Sequence, residues 1–108
     1  MNRRRRLLET NYGRKCGWWI EVEGRRIARL EDPRFEDMFW DSYRLLPLTD
    51  HPEDRRLLHC KDFWDACKAV YRNCEFDEVV PGAFASGSAE IRLRETGRLA
   101  VRGLYLDL

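Results

Sequence analysis

Between Cys60 and Cys74 the apolar side chains recur with a helical period. Cys60, Phe63, Trp64, Cys67, Val70, Tyr71 and Cys74 stand at i, i+3, i+4, i+7, i+10, i+11 and i+14. Wrapped around an α-helix they form one continuous stripe, while Lys61, Asp62, Asp65, Lys68, Arg72 and Asn73 between them suit water. The spacing predicts a principal amphipathic helix, and such a helix needs a partner surface to cover its stripe. At 108 residues the chain has the length of one ordinary domain, so a single core must supply that surface.

Strands supply it. The run Trp18-Trp19-Ile20-Glu21-Val22-Glu23-Gly24-Arg25-Arg26-Ile27-Ala28-Arg29-Leu30 reads as a hairpin, with Gly24 giving the positive φ of a tight turn. A two-residue Glu23-Gly24 loop sets Ile20 against Ile27 and Glu21 against Arg26. Asp32-Pro33 should end the second arm, because proline has no amide hydrogen for the ladder. Met38 to Leu46 reads as a strand inside the sheet, apolar on parts of both faces. Thr49 to Asp54 carries helix-start chemistry: a cap candidate, an early proline, then acids. After the principal helix, Glu75 to Val80 reads as a strand and Pro81 to Ser88 as a flexible connection. A second hairpin, with Ala89–Arg94 and Arg98–Leu106 as its arms, closes the chain. A three-residue loop, Glu95-Thr96-Gly97 with Gly97 left-handed, sets Ile91 against Val101, Leu93 against Leu99 and Glu90 against Arg102.

The expected fold is therefore α+β. A curved, mostly antiparallel sheet of two hairpins plus central strands carries one principal amphipathic helix packed on it, with a more closed barrel as the variant. Residues 1–11 read as a basic arm and 12–108 as one globular unit.

Chemistry-bearing residues are few and none falls in a named motif. Cys60, Cys67, Cys74 and His59 invite a metal-site reading, but seven residues along a straight helix separate successive thiols by about 10.5 Å. Neither a disulfide nor a shared zinc ion tolerates that distance, so core thiols that fill space are expected, with no metal and no cofactor. Cys16, far away in sequence, can in principle reach one of them to form a single bridge. His51 and His59 read as surface or helix-end residues, and no serine sits in a nucleophile setting. Enzymatic activity is not indicated by any of these.

Charge is balanced overall, 20 Lys+Arg against 19 Asp+Glu, but segregated along the chain. Residues 1–16 carry Arg3, Arg4, Arg5, Arg6, Arg14 and Lys15 against Glu9, and residues 31–65 carry ten acids, including Asp37 and Asp41, against five bases. Arm and acidic stretch can meet within one chain or between two, so self-association is open. The adjacent pair Trp18-Trp19 adds a second candidate surface, since neighbours on a strand face opposite ways and one ring can be left partly exposed beside the arginines of the hairpin.

Binding to another protein through Trp18, Trp19, Asp37 and Asp41 is the leading expectation. Nucleic-acid binding through Arg3, Arg4, Arg5 and Arg6 is the alternative, and it is disfavoured because residues 17–108 carry a net charge of −4 (+1 for the chain less +5 for residues 1–16). A small-ligand or enzyme pocket in the concavity of the sheet is a third reading. With no apolar run long enough to cross a bilayer and no secretory pattern, no membrane contact and a cytoplasmic setting are expected.

Overall fold

A computed structural model describes residues 16–36, 40–66 and 68–102. The chain forms β1 (Trp18–Val22), β2 (Arg25–Phe35), β3 (Asp41–Pro47), α1 (Pro52–Leu57), α2 (Lys61–Asp65), β4 (Val70–Asn73), β5 (Glu78–Val79), β6 (Phe84–Ala85), α3 (Ala89–Thr96) and β7 (Arg98–Arg102). Among the described residues seven strands make one sheet in the order β5-β4-β1-β2-β3-β7-β6. Every neighbouring pair is antiparallel, and the sheet curls into a half-barrel. The protein is α+β.

The β1–β2 hairpin forms as its turn chemistry dictates. Glu23 and Gly24 both take positive φ, +48° and +80°, the pattern whose twist matches that of the flanking strands. Glu21 faces Arg26 as expected, but Ile20 faces Ala28, not Ile27. The register slips by one residue at this point, and the resulting bulge lets the core take both Ile27 and Ala28, each fully buried. Asp32-Pro33 does not end β2. The strand passes through them by a second irregularity between Glu31 and Arg34, with Asp32 at φ +55°, so the proline sits where no ladder donor is required. As the sequence indicated, β3 lies inside the sheet, between β2 and β7. Likewise α1 starts at Pro52 with Glu53 and Asp54 in its first turn, and Thr49 Oγ1 accepts the His51 N–H at 3.0 Å.

Two larger expectations fail as well. The stripe from Cys60 to Cys74 is not one helix: α2 ends at Asp65, the Lys68 N–H closes a wide turn onto the Phe63 carbonyl (3.2 Å), and Val70 begins β4. The apolar period of Val70-Tyr71-Arg72-Asn73 also fits a strand, and the edge of β1 from Trp18 to Glu21 supplies it with a ladder that a helix could not use. The closing hairpin is also absent. Ala89–Thr96 is α3, built from strong helix formers, with Ala89, Glu90 and Leu93 buried on one side and Ile91 exposed. Gly97 is left-handed (φ +74°), but as a helix cap, its N–H bonding the Leu93 carbonyl at 2.9 Å. The pairs expected for Glu90, Ile91 and Leu93 do not form; β7 pairs with β3 and β6 instead.

The core fills the inside of the curl. Trp18, Ile20, Ile27, Leu30, Tyr43 and Leu99 from the sheet meet Leu58, Phe63, Trp64 and Leu93 from the helical segments. Trp64 packs edge-on to Phe63 (ring centroids 5.0 Å) and donates its indole N–H to the Leu58 carbonyl at 3.0 Å. Among the described residues sulfur contributes little to this interior: Cys60 and Cys74 are half-buried and Cys16 is exposed. The expectation that the thiols pack inward along one rod is thus overturned with the rod, while Cys67 lies outside the described residues.

Candidate interaction face

Strand alternation sends Trp18 and Trp19 to opposite sides of β1. Trp18 is fully buried in the core. Trp19 is half-buried on the outer face, with the Arg26 and Arg29 guanidinium carbons 4.7 and 4.6 Å from its ring centroid. Register places Arg72 of β4, Trp19 of β1, Arg29 of β2 and Leu46 of β3 in one row across the sheet. A second row sets Val70 beside Glu21, with Arg26 on the far side. Leu46 and Leu48 are each 44% exposed, so the row ends in uncovered aliphatic surface.

The electrostatics of this face are nearly closed on themselves, with one exception. Glu21 Oε2 accepts from Arg26 Nε (3.0 Å) and from Arg72 Nε (3.1 Å). Arg44 pairs with Glu31 at 2.6 Å, and Arg98 binds Asp32 (3.0 Å) together with the hydroxyl and carbonyl of Ser42. Among the described residues Arg29 has no carboxylate: its Nη2 donates to the Cys16 carbonyl at 2.6 Å, and its buried Nε has no hydrogen-bond partner. A guanidinium over an indole, with no carboxylate among the described residues, keeps hydrogen-bonding capacity for an oxygen acceptor.

The acidic stretch disperses in space. Arg25 clamps Asp54 through Nε and Nη2 at 3.2 and 2.8 Å, Arg92 reaches Glu36, and Lys61 bonds Asp65. Asp41 is buried in β3 opposite Val101. Asp37 and the Arg3, Arg4, Arg5 and Arg6 cluster lie outside the described residues. Of the residues singled out from sequence, Trp19 therefore lies half-buried on the outer face, whereas Trp18 and Asp41 are enclosed. Arg29, Arg72 and Leu46 join Trp19 only through strand order and the slip in register between β1 and β2.

Asp54 gives a direct electrostatic test. The hydrogen bonds from Arg25 hold its carboxyl below the usual carboxylate range, against the opposing effect of desolvation. The contribution to stability is thus present above the unfolded carboxyl pKa of about 3.9 and is lost as pH falls through the lowered folded value. Carboxyl-carbon NMR titration should place Asp54 below an ordinary aspartate, and Arg25→Ala should bring it back up.

The inside of the curl is packed with side chains, among them Trp18, Ile20, Tyr43, Phe63 and Leu99. A cleft of about 310 Å³ lies between β4–β5 and β6, lined by Tyr71, Val79, Val80, Pro81, Ala83 and Phe84 among others, with no carboxylate, imidazole or thiol in its walls. His51 and His59 are exposed and apart from it. Among the described residues no group of three or more His, Cys, Asp or Glu side chains is placed to hold a metal ion, and no helix is long and apolar enough to cross a membrane. Comparison with protein-family models, with curated proteins and with solved structures gives no match.

Proposed function

We propose that the protein is a non-catalytic interaction module that binds another protein through the open sheet face centred on Trp19. The observation that carries this reading is the Trp19 ring, half-buried under Arg26 and Arg29, with Arg29 lacking a carboxylate among the described residues. Tryptophan and arginine dominate the energetics of protein interfaces because each combines a large contact area with directed polar groups. Leu46 and Leu48 extend the apolar part of the surface, and the paired charges around it form a polar rim. The partner should present a carboxylate to Arg29, whose planar fork accepts it in two parallel hydrogen bonds.

A photo-cross-linking side chain placed at Leu46 tests the reading. It should capture a protein, and that protein, once purified, should bind the wild-type chain at least about tenfold more tightly than Trp19→Ala or Arg29→Glu, as expected when a central anchor is lost. Glu95→Lys, on the exposed side of α3, should leave affinity unchanged. Equal binding by all four chains would overturn the proposal. Binding instead to a generic oligonucleotide, weakening linearly in the logarithm of salt, would move the function to nucleic acid.

A further inference from the structure

Cys16 and Cys74 are separated by most of the chain yet meet at the junction of β1 and β4. Trp18 pairs with Asn73, and one step beyond, the Cys74 N–H donates to the Gly17 carbonyl at 3.1 Å. The ladder thus continues past the end of β1, with Gly17 opposite Cys74 and Cys16 one residue on the diagonal. In a regular ladder, strands about 4.8 Å apart with a rise of about 3.4 Å per residue put diagonal Cα atoms about 6 Å apart, inside the roughly 4.4–6.8 Å that a disulfide spans, and here Cys16 is near enough to Cys74 to act on it electrostatically.

In a regular strand Cys16 and Cys74 would face opposite ways. Gly17 breaks the alternation: its φ is +86°, and a Cβ there would lie 1.9 Å from the Leu30 carbonyl oxygen. At the turn the Cys16 backbone is held between β2 and the residue that follows Cys74. Its carbonyl accepts from Arg29 at 2.6 Å, and its N–H donates to Oε1 of Glu75, the residue next to Cys74, at 3.3 Å. Cys16 is exposed and Cys74 half-buried.

We propose that Cys16 and Cys74 form a reversible disulfide, a modification site at the β1–β4 edge whose oxidant is a low-molecular-weight disulfide such as oxidised glutathione. The Cys16 thiolate attacks one sulfur of the small disulfide, forming a mixed disulfide and releasing one thiol. The Cys74 sulfur, giving up its proton, then displaces the second thiol and closes the Cys16–Cys74 bond. Two S–H bonds of the protein are lost and one S–S bond is gained, while the two electrons and two protons leave in the two small thiols. Burial holds the Cys74 thiol up to about 11; Cys16 and Glu75 add to the rise, and the Arg29 and Arg26 charges oppose it. Cys74 is therefore the poorer attacking group and is half-buried, whereas Cys16 is exposed, which orders the steps: Cys16 meets the small disulfide and Cys74 resolves. Closure would pin residue 16 beside Arg29 and Trp19, at the margin of the proposed interaction face.

The test uses the whole wild-type chain in a glutathione redox buffer, read by intact mass and by non-reducing digestion. A single intramolecular Cys16–Cys74 linkage is expected, reversed by reduced glutathione. With Cys74→Ser, glutathione should accumulate on Cys16 from a trace to most of the protein; with Cys16→Ser, residue 74 should stay unmodified. A wild-type chain that keeps glutathione on Cys16 without bridging, or that bridges through Cys60 or Cys67 or between two chains, would overturn the proposal. The linkage map comes from the unmutated protein and is independent of whether the Trp19 face binds anything.

Discussion

Gly17→Ala is expected to lower stability by about 3 kcal/mol, whereas Gly24→Ala should lower it by only about 1 kcal/mol. Both glycines sit in the left-handed region, at φ +86° and +80°, so an L side chain at either position meets the same local penalty. Their surroundings differ. A Cβ at Gly24 has nothing within 4 Å, but at Gly17 it would stand 1.9 Å from the Leu30 carbonyl oxygen. That oxygen is backbone in β2, and Leu30 pairs with Trp18 in the β1–β2 ladder, so it cannot yield without disturbing the centre of the sheet. Urea titrations with a shared slope would read the difference. In a domain of this size each kcal/mol moves the melting temperature by about 4–8 °C, so Gly17→Ala should melt more than about 10 °C lower. Equal losses at both positions would mean that β2 shifts aside at little cost and that Gly17 is needed for its φ alone.

Gly24 shows why some of the fold was legible in the sequence. Glu23-Gly24 is a local instruction: two residues, two positive φ values and one turn type, so the hairpin and its Glu21–Arg26 pair could be read directly. The slip at Ile27 has no local signal, because it reflects the core's demand for two successive apolar residues, Ile27 and Ala28. The stripe from Cys60 to Cys74 failed for a related reason. Its periodicity is compatible with a helix throughout, but the second half, Val70 to Asn73, also satisfies a strand, and only the waiting edge of β1 decides between them. At Ala89–Thr96 the error runs the other way. Ile91 and Leu93 suggested alternation, yet two residues are too few to establish a period, and the helix-forming composition prevailed.

The candidate site divides along the same line. Alternation alone separates Trp18 from Trp19, so an outward ring was readable. Its neighbours depended on the order β4-β1-β2-β3, which no local pattern encodes, and the acidic stretch was misleading as a surface. Asp54 takes Arg25 from 29 residues away, Glu36 takes Arg92 from 56 and Asp32 takes Arg98 from 66. Part of the acidic stretch is thus paired with arginines distant in sequence, while among the described residues Arg29 over Trp19 has no carboxylate.

Trp18→Ala should cost about 4 kcal/mol, the range for truncating a fully buried large aromatic, whereas Trp19→Ala should cost no more than about 1 kcal/mol of folding stability. The Trp18 ring is fully enclosed, stands edge-on to Tyr71 with centroids 6.0 Å apart, and occupies the strand flanked by Leu30 and Asn73, so its removal leaves a void bounded by the sheet itself. One feature of Trp18 works against it: its buried indole N–H has no hydrogen-bond partner among the described residues. Trp18→Phe would discard that orphan donor while keeping most of the ring, and the relief offsets part of the smaller cavity. Phenylalanine at this position should therefore fall within about 1 kcal/mol of the wild type, though alanine does not. Trp19 tests the opposite assignment, because its two guanidinium contacts are made at the water boundary, where each contributes little to folding. A Trp19→Ala chain that unfolds as readily as Trp18→Ala would make Trp19 a structural residue and leave the proposed interaction face without its centre.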